Sequence, residues 1–167
     1  MSETERSMLD RLNLRYGKAN GNGPRFARAE HVKNKAGWSA NRICDYMAID
    51  LWTGGYGTSR VGPMLHGHEV KVSRSDWLVE LKDPEKAEAF KQFCDYWWLV
   101  VSDRSVVRLD ELPEEWGLMV ASGRSIRVIR QATRLVPLPL TRDMQATLMR
   151  ATAKTATRLA VEGESDE

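Results

Sequence analysis

The chain has 167 residues, with 25 lysines and arginines against 23 acids, and its 42% hydrophobic content and six tryptophans are enough for the core of one domain. A formal net charge of +2 excludes a strong overall field for polyanions, so any basic surface must arise from local clustering. No apolar run approaches a membrane span, Met1 to Asp10 lacks a signal-peptide segment, and two cysteines, Cys44 and Cys94, cannot fill a four-cysteine iron–sulfur or zinc site. The expectation is therefore a cytoplasmic protein with buried, reduced thiols and no membrane partner.

Taken in order, residues 1–24 read as a flexible N-terminal segment. Met8, Leu9, Leu12 and Leu14 allow a helical turn or two before the Gly/Asn run that ends at Pro24. Arg25 to Lys35 is helix-compatible, with Phe26, Ala29 and Val32 on one side and Glu30 beside that stripe. Ile43 to Trp52 alternates as a strand, with Asp45, Met47, Ile49 and Leu51 on one face. A turn at Thr53 to Gly57 opens a loop that runs on to Gly67.

His68 to Ser73 follows as a second strand. Ser73 to Asp76 starts a helix over Trp77 to Lys82, and Asp83-Pro84-Glu85 starts another that runs to about Tyr96. Trp97 to Val101 is an apolar run suited to a central strand. Gly117 to Ala121 and Ile126 to Arg130 form a short strand pair around Gly123. After Pro137-Leu138-Pro139, Thr141 caps a last helix in which Met144, Leu148, Ala151, Thr155 and Leu159 share a face; residues 161–167 are an acidic, disordered tail. The alternation predicts one α/β domain over residues 25–160, a mixed central sheet flanked by helices.

The chemistry gathers around His68-Glu69-Val70-Lys71-Val72. In a strand, residues two apart share a face, so Glu69 stands beside Lys71. Taken alone, Glu-x-Lys is a surface cross-strand pair. Asp45, however, is the sole acid on its face of an apolar strand. If the two strands are neighbours, two carboxylates and an ammonium group meet. Hard oxygens on rigid strands suit Mg²⁺ or Mn²⁺, with the Val70 carbonyl a further oxygen and Glu30 able to complete the shell. Lys71 would position or activate water.

These residues resemble the PD-(D/E)XK nuclease superfamily: Glu30, Asp45 and Glu69-Val70-Lys71 match its helix glutamate, first-strand aspartate and acid-x-lysine. Cys44 stands where the literal pattern has proline. Gln92-Phe93-Cys94-Asp95-Tyr96 is similar to the Gln-xxx-Tyr of the RecB-type and lambda-exonuclease-type branches. Glu69 to Trp77 and Leu112 to Leu118 resemble the MmcB-like DNA-repair proteins. The MmcB-like resemblance covers most of the chain from about Arg42 to Leu159.

What it implies is a restriction-endonuclease-like fold and a metal-dependent deoxyribonuclease acting in DNA repair, recombination or processing, leaving 5′-phosphate and 3′-hydroxyl ends. Asp45, Glu69, Val70 and Glu30 would hold Mg²⁺ or Mn²⁺, Lys71 would act on water, and Gln92 and Tyr96 would orient the DNA backbone. The alternative is a DNA-binding module of the same fold that cuts weakly or not at all outside a complex. A homo-oligomer is left open.

Other groups carry weaker readings. Arg42, Arg60 and Arg74 flank the strands and are candidate DNA contacts, whereas Arg150, Lys154 and Arg158, spaced by four, meet phosphates or form a solvated face. Tyr56 can stack on a base. His66 and His68 share a strand face, but a zinc site needs a third ligand. Ser73 and Asp76 read as helix-capping groups rather than catalytic ones.

Overall fold

A computed structural model describes residues 2–37, 42–52 and 62–165. In chain order it contains α1 (Glu5–Arg15), the two-residue strands β1 (Ala19–Asn20) and β2 (Gly23–Pro24), β3 (Phe26–Lys33), β4 (Ile43–Asp50) and β5 (Met64–Lys71). Helices α2 (Arg74–Leu81) and α3 (Pro84–Lys91) follow, then β6 (Tyr96–Val101), β7 (Gly117–Ser122), β8 (Ser125–Arg130) and α4 (Arg142–Ser165). β1 and β2 form a small hairpin. The other six strands make one sheet in simple chain order, β3 to β8. Pairing is antiparallel from β3 to β5, parallel from β5 to β7, and antiparallel again at β8. The sheet is thus mixed, with helices on both faces. No helix among the described residues is long and apolar enough to cross a membrane.

Two cores divide the molecule. On one face Met47, Trp97, Leu99 and Leu118 pack against Trp77 of α2, Ala87 and Phe90 of α3, and Met144 and Ala151 of α4. On the other, Tyr46, Ala48, Val70, Trp98, Val100 and Met119 pack under Met8, Leu9 and Leu12 of α1. Two glycines allow this packing, since a Cβ on Gly67 would overlap the Trp97 indole and one on Gly117 the Trp98 indole.

Several helix starts follow the sequence reading: Ser73 Oγ accepts from the Asp76 amide, Pro84 opens α3, and Thr141 Oγ1 accepts from the Met144 amide. Gly123 turns β7 into β8 with φ of 57°.

Four segments depart from the sequence reading. The N-terminal stretch is not a flexible segment but helix α1, closed by reciprocal Thr4–Ser7 bonds and buried along Met8, Leu9 and Leu12. Arg25 to Lys35 is not a helix: Phe26–Lys33 is edge strand β3. The helix over Gln92 to Tyr96 is absent, because α3 ends at Lys91 and Tyr96 begins β6. Finally, residues 161–165 continue α4 rather than starting a tail.

β3 misleads because its alternation slips. Ala29 and Val32, three apart, both enter the core beneath α2 to α4, and between them His31 has φ of 52°. Its partner β4 slips opposite: Tyr46 belongs to the α1 core and Cys44 to the other, though paired with Glu30 and Val32 respectively. A spacing of three, the usual mark of a helix, is here the mark of a left-handed residue within a strand.

Because α1 closes one core, Leu12→Ala is expected to lower unfolding free energy by about 2–5 kcal/mol, read from urea denaturation midpoints. An unchanged midpoint would return the segment to a dispensable extension.

Candidate functional site

The slip at His31 and Asp45 opens the sheet. The β4–β5 ladder ends at Tyr46–His68, and beyond it the Asp45 carboxylate takes the place of a backbone acceptor: Oδ2 receives the Val70 amide at 2.7 Å. Glu69 points to the α2–α3 side with Lys71, at the carboxyl end of β5, where ligands of open α/β sheets bind. Strand geometry therefore places Asp45, Glu69 and Lys71 together at one end of the sheet, as the period-two reading requires.

The Glu69 side chain is only 2% exposed, and its Oε1 receives two ammonium groups, Lys71 Nζ at 2.5 Å and Lys86 Nζ at 2.6 Å. Both lysines also lie 3.0 Å from Glu80 Oε2. Burial, then the neighbouring Asp45, pushes the Glu69 carboxyl up to about 7 against the pull of the two lysines. Burial likewise raises Asp45, opposed by the Val70 amide and Lys71. For Lys71, burial favours the neutral amine but is outweighed by Glu69 and Glu80, so its pKa is raised and it remains an ammonium ion. Its chemistry is that of a hydrogen-bond donor and charge stabiliser rather than a base.

Glu80 and Lys86 escaped sequence reading, although each left a trace. Glu80 follows Trp77 by three residues on the buried face of α2. Lys86 stands in the first turn of α3, where the helix dipole favours acids.

The same five residues bear on whether a divalent cation fits. With all three carboxyls ionised against two ammonium groups the cluster carries a single negative charge, and Glu80 Oε1 is buried without a hydrogen-bond partner. A hard-oxygen donor set with an unsatisfied oxygen suits a single Mg²⁺ or Mn²⁺. Among the described residues no three His, Cys, Asp or Glu side chains form a ready metal cage; two lysines lie on Glu69 and Glu80, and the Val70 amide on Asp45.

Glu30 is not with these acids and not on a helix. From β3 it is gripped by Arg6, Arg158 and the Asn13 amide, joining α1 and α4 around the sheet edge. Gln92 and Tyr96 do not share a helical face. Gln92 caps α3 with Nε2 donating to Ala89 O at 3.3 Å, while the Tyr96 ring stacks on His66 beneath α1, 4.8 Å between centroids. Glu69 lies three residues further along β5 than His66, the register partner of Tyr96, and faces the opposite side. Val70 offers its amide to Asp45, and its side chain is in the α1 core.

Arg42 lies 3.8 Å from Asp83 and 4.0 Å from Glu85, and Arg74 is engaged by Glu111 and the Val106 carbonyl. Arg60 and Tyr56 lie outside the described residues. His68 is buried between Tyr16 Oη at 2.8 Å and the Tyr46 carbonyl; burial keeps it neutral. His66 accepts from Trp98 Nε1.

No family model matches the chain, and no curated protein matches it. Among solved structures it is similar to SPO1766, a protein of unknown function from Silicibacter pomeroyi, at 20% identity and a TM-score of 0.53, over 85% of this chain and 82% of the other. That likeness supports the α/β architecture, a mixed sheet flanked by helices, and speaks to fold alone.

Burial would raise the Glu30 pKa, but Arg6, Arg158 and Asn13 hold it at about 2 against an ordinary 4.5. A depressed acid stabilises the fold above its unfolded pKa and loses that contribution as pH falls through its folded one. Glu30→Gln should therefore lower unfolding free energy by about 2–3 kcal/mol at neutral pH. In denaturant titrations the gap to wild type should close as pH falls from 4.5 toward 2.

Proposed function

We propose that this protein is a divalent-metal-dependent phosphodiesterase acting on DNA, a nuclease of the PD-(D/E)XK kind. The observation that carries the reading is the meeting of Asp45, Glu69 and Lys71 where β4 parts from β5, with the unsatisfied Glu80 Oε1 beside them. Glu30, Gln92 and Tyr96 have no part in this site. Asp45 and Glu69, with Glu80, would hold Mg²⁺ or Mn²⁺; when bound, the ion polarises a phosphoryl oxygen and makes a bound water more acidic. Lys71 keeps its proton and donates to the attacking water or to the phosphoryl oxygen that gains charge. Asp45, fixed by the Val70 amide, keeps its carboxylate oriented without reorganisation. Lys86 balances Glu69 and Glu80 in the resting protein.

A second reading, a DNA-binding module that keeps the fold and cuts weakly, draws on one observation: both lysines already neutralise the carboxylates that metal would need. Calorimetry with Mn²⁺ separates the two. The nuclease reading expects binding by wild type that Asp45→Asn and Glu69→Gln abolish. Affinity should weaken as pH falls below about 7, because a protonated Glu69 must release its proton to coordinate. Absence of such binding favours the second reading.

Cleavage of single-stranded, duplex and branched DNA with Mg²⁺ or Mn²⁺ is the direct assay. Lys71→Ala should slow it about a hundredfold or more, and undiminished cutting by both Lys71→Ala and Asp45→Asn would remove the assignment.

A further inference from the structure

We propose that the groove between β3 and α4 is a second binding surface, a track for the sugar–phosphate backbone of a nucleic-acid strand. The groove encloses about 640 Å³ and is walled by His31, Lys33 and the turn through Gly37 on one side and by α4 on the other. Lys33, Lys35, Arg150 and Lys154 line it, and among the described residues none of the four is in an ion pair. Its one acid, Glu30, is already matched by Arg6 and Arg158. Four like charges within one concavity repel one another, and among the described residues no acid pairs with them. In a chain of net charge +2, that concentration is local.

The walls are fixed. Thr147 Oγ1 donates to the Lys33 carbonyl at 2.7 Å, and Thr155 Oγ1 accepts from the Glu30 amide at 2.9 Å, so α4 is pinned along the open edge of β3. Arg150 and Lys154, one helical turn apart, are thereby presented on a rigid element facing Lys33. A row of cations in a narrow cleft suits a linear polyanion. Among the described residues, the lining carries no large apolar side chain to enter a lipid surface. β3 pairs directly with β4, so the strand that walls the groove is the immediate sheet neighbour of the strand that carries Asp45. The inference rests on the phosphodiesterase reading only for its choice of nucleic acid among polyanions.

The test is equilibrium binding of labelled single-stranded and duplex DNA to the full chain in EDTA, across a salt series, with phosphatidylserine vesicles and inorganic phosphate as the other probes. Lys33, Lys35, Arg150 and Lys154 are exchanged for Gln together and singly, each variant checked by thermal melting. The fourfold variant is expected to lose affinity for DNA at least tenfold and to flatten the log–log salt dependence by about three to four; each single variant should flatten it by about one.

The groove is refuted if the single variants keep the wild-type affinity and slope, if wild type binds no DNA, or if it binds vesicles or free phosphate in preference. Its fate is separable from that of the nuclease: groove variants that lose binding uphold the track even if no DNA is cut, and cutting that depends on Asp45 survives a failed groove.

Discussion

The site depends on one constraint: a carboxylate in the plane of the sheet cannot coexist with an unbroken ladder. Asp45 occupies the gap where β4 leaves β5 and takes the Val70 amide that a backbone carbonyl would otherwise accept. The Val70 amide is thereby satisfied, so the opening is tolerated there. The left-handed His31 on β3 lets the neighbouring strand follow the same slip. Backbone irregularity thus gathers at the strand end that also carries the acids, where sites commonly store it.

Once Glu69 is buried beside Asp45, the surroundings must supply positive charge or the carboxyl must hold a proton. Lys71 comes from the same strand, two residues on, and needs no tertiary placement to be adjacent. Lys86 is brought by the α2–α3 junction, as is Glu80, whose second oxygen closes a four-membered ring of alternating charges. Such a ring is worth little as stability, since desolvating four charged groups offsets most of their attraction. The ring stands at the carboxyl end of β5, and Glu80 Oε1 beside it is buried without a hydrogen-bond partner.

What could be read from the chain divides along physical lines. Strands with clean alternation or continuous apolar runs, β4 and β6, were legible, as were α2, α3 and α4 from their caps, because those signals are local. The Asp45, Glu69 and Lys71 grouping was legible too, since two strands adjacent in sequence pair in space. Glu30 was misplaced because a left-handed His31 turned a strand into a pattern with helical spacing. Gln92 and Tyr96 were misread as one helix because a spacing of four says nothing about where α3 stops, and Asp95, which ends that stretch, accepts the Leu65 amide instead of extending the helix. α1 was undervalued because its apolar stripe is short and its worth lies wholly in the face it covers.

The charges of the molecule fall into two regimes. Around Glu30, Glu69 and Glu111, acids and bases are paired closely and serve packing or the site. Along the β3–α4 groove Lys33, Lys35, Arg150 and Lys154 make no ion pair among the described residues, while Arg158 is taken by Glu30 and Glu162. Exposed bases outside any ion pair also occur elsewhere among the described residues, Arg15, Lys18, Arg124 and Arg127 included; what sets the groove apart is that four share one concave lining, where the threonine contacts of α4 would serve equally well without cations beside them. Edge strand β3 needs covering to avoid pairing with other chains, and α4 does that with two hydroxyls. The basic residues are additional to that duty, and they lie next to the strand whose aspartate opens the sheet.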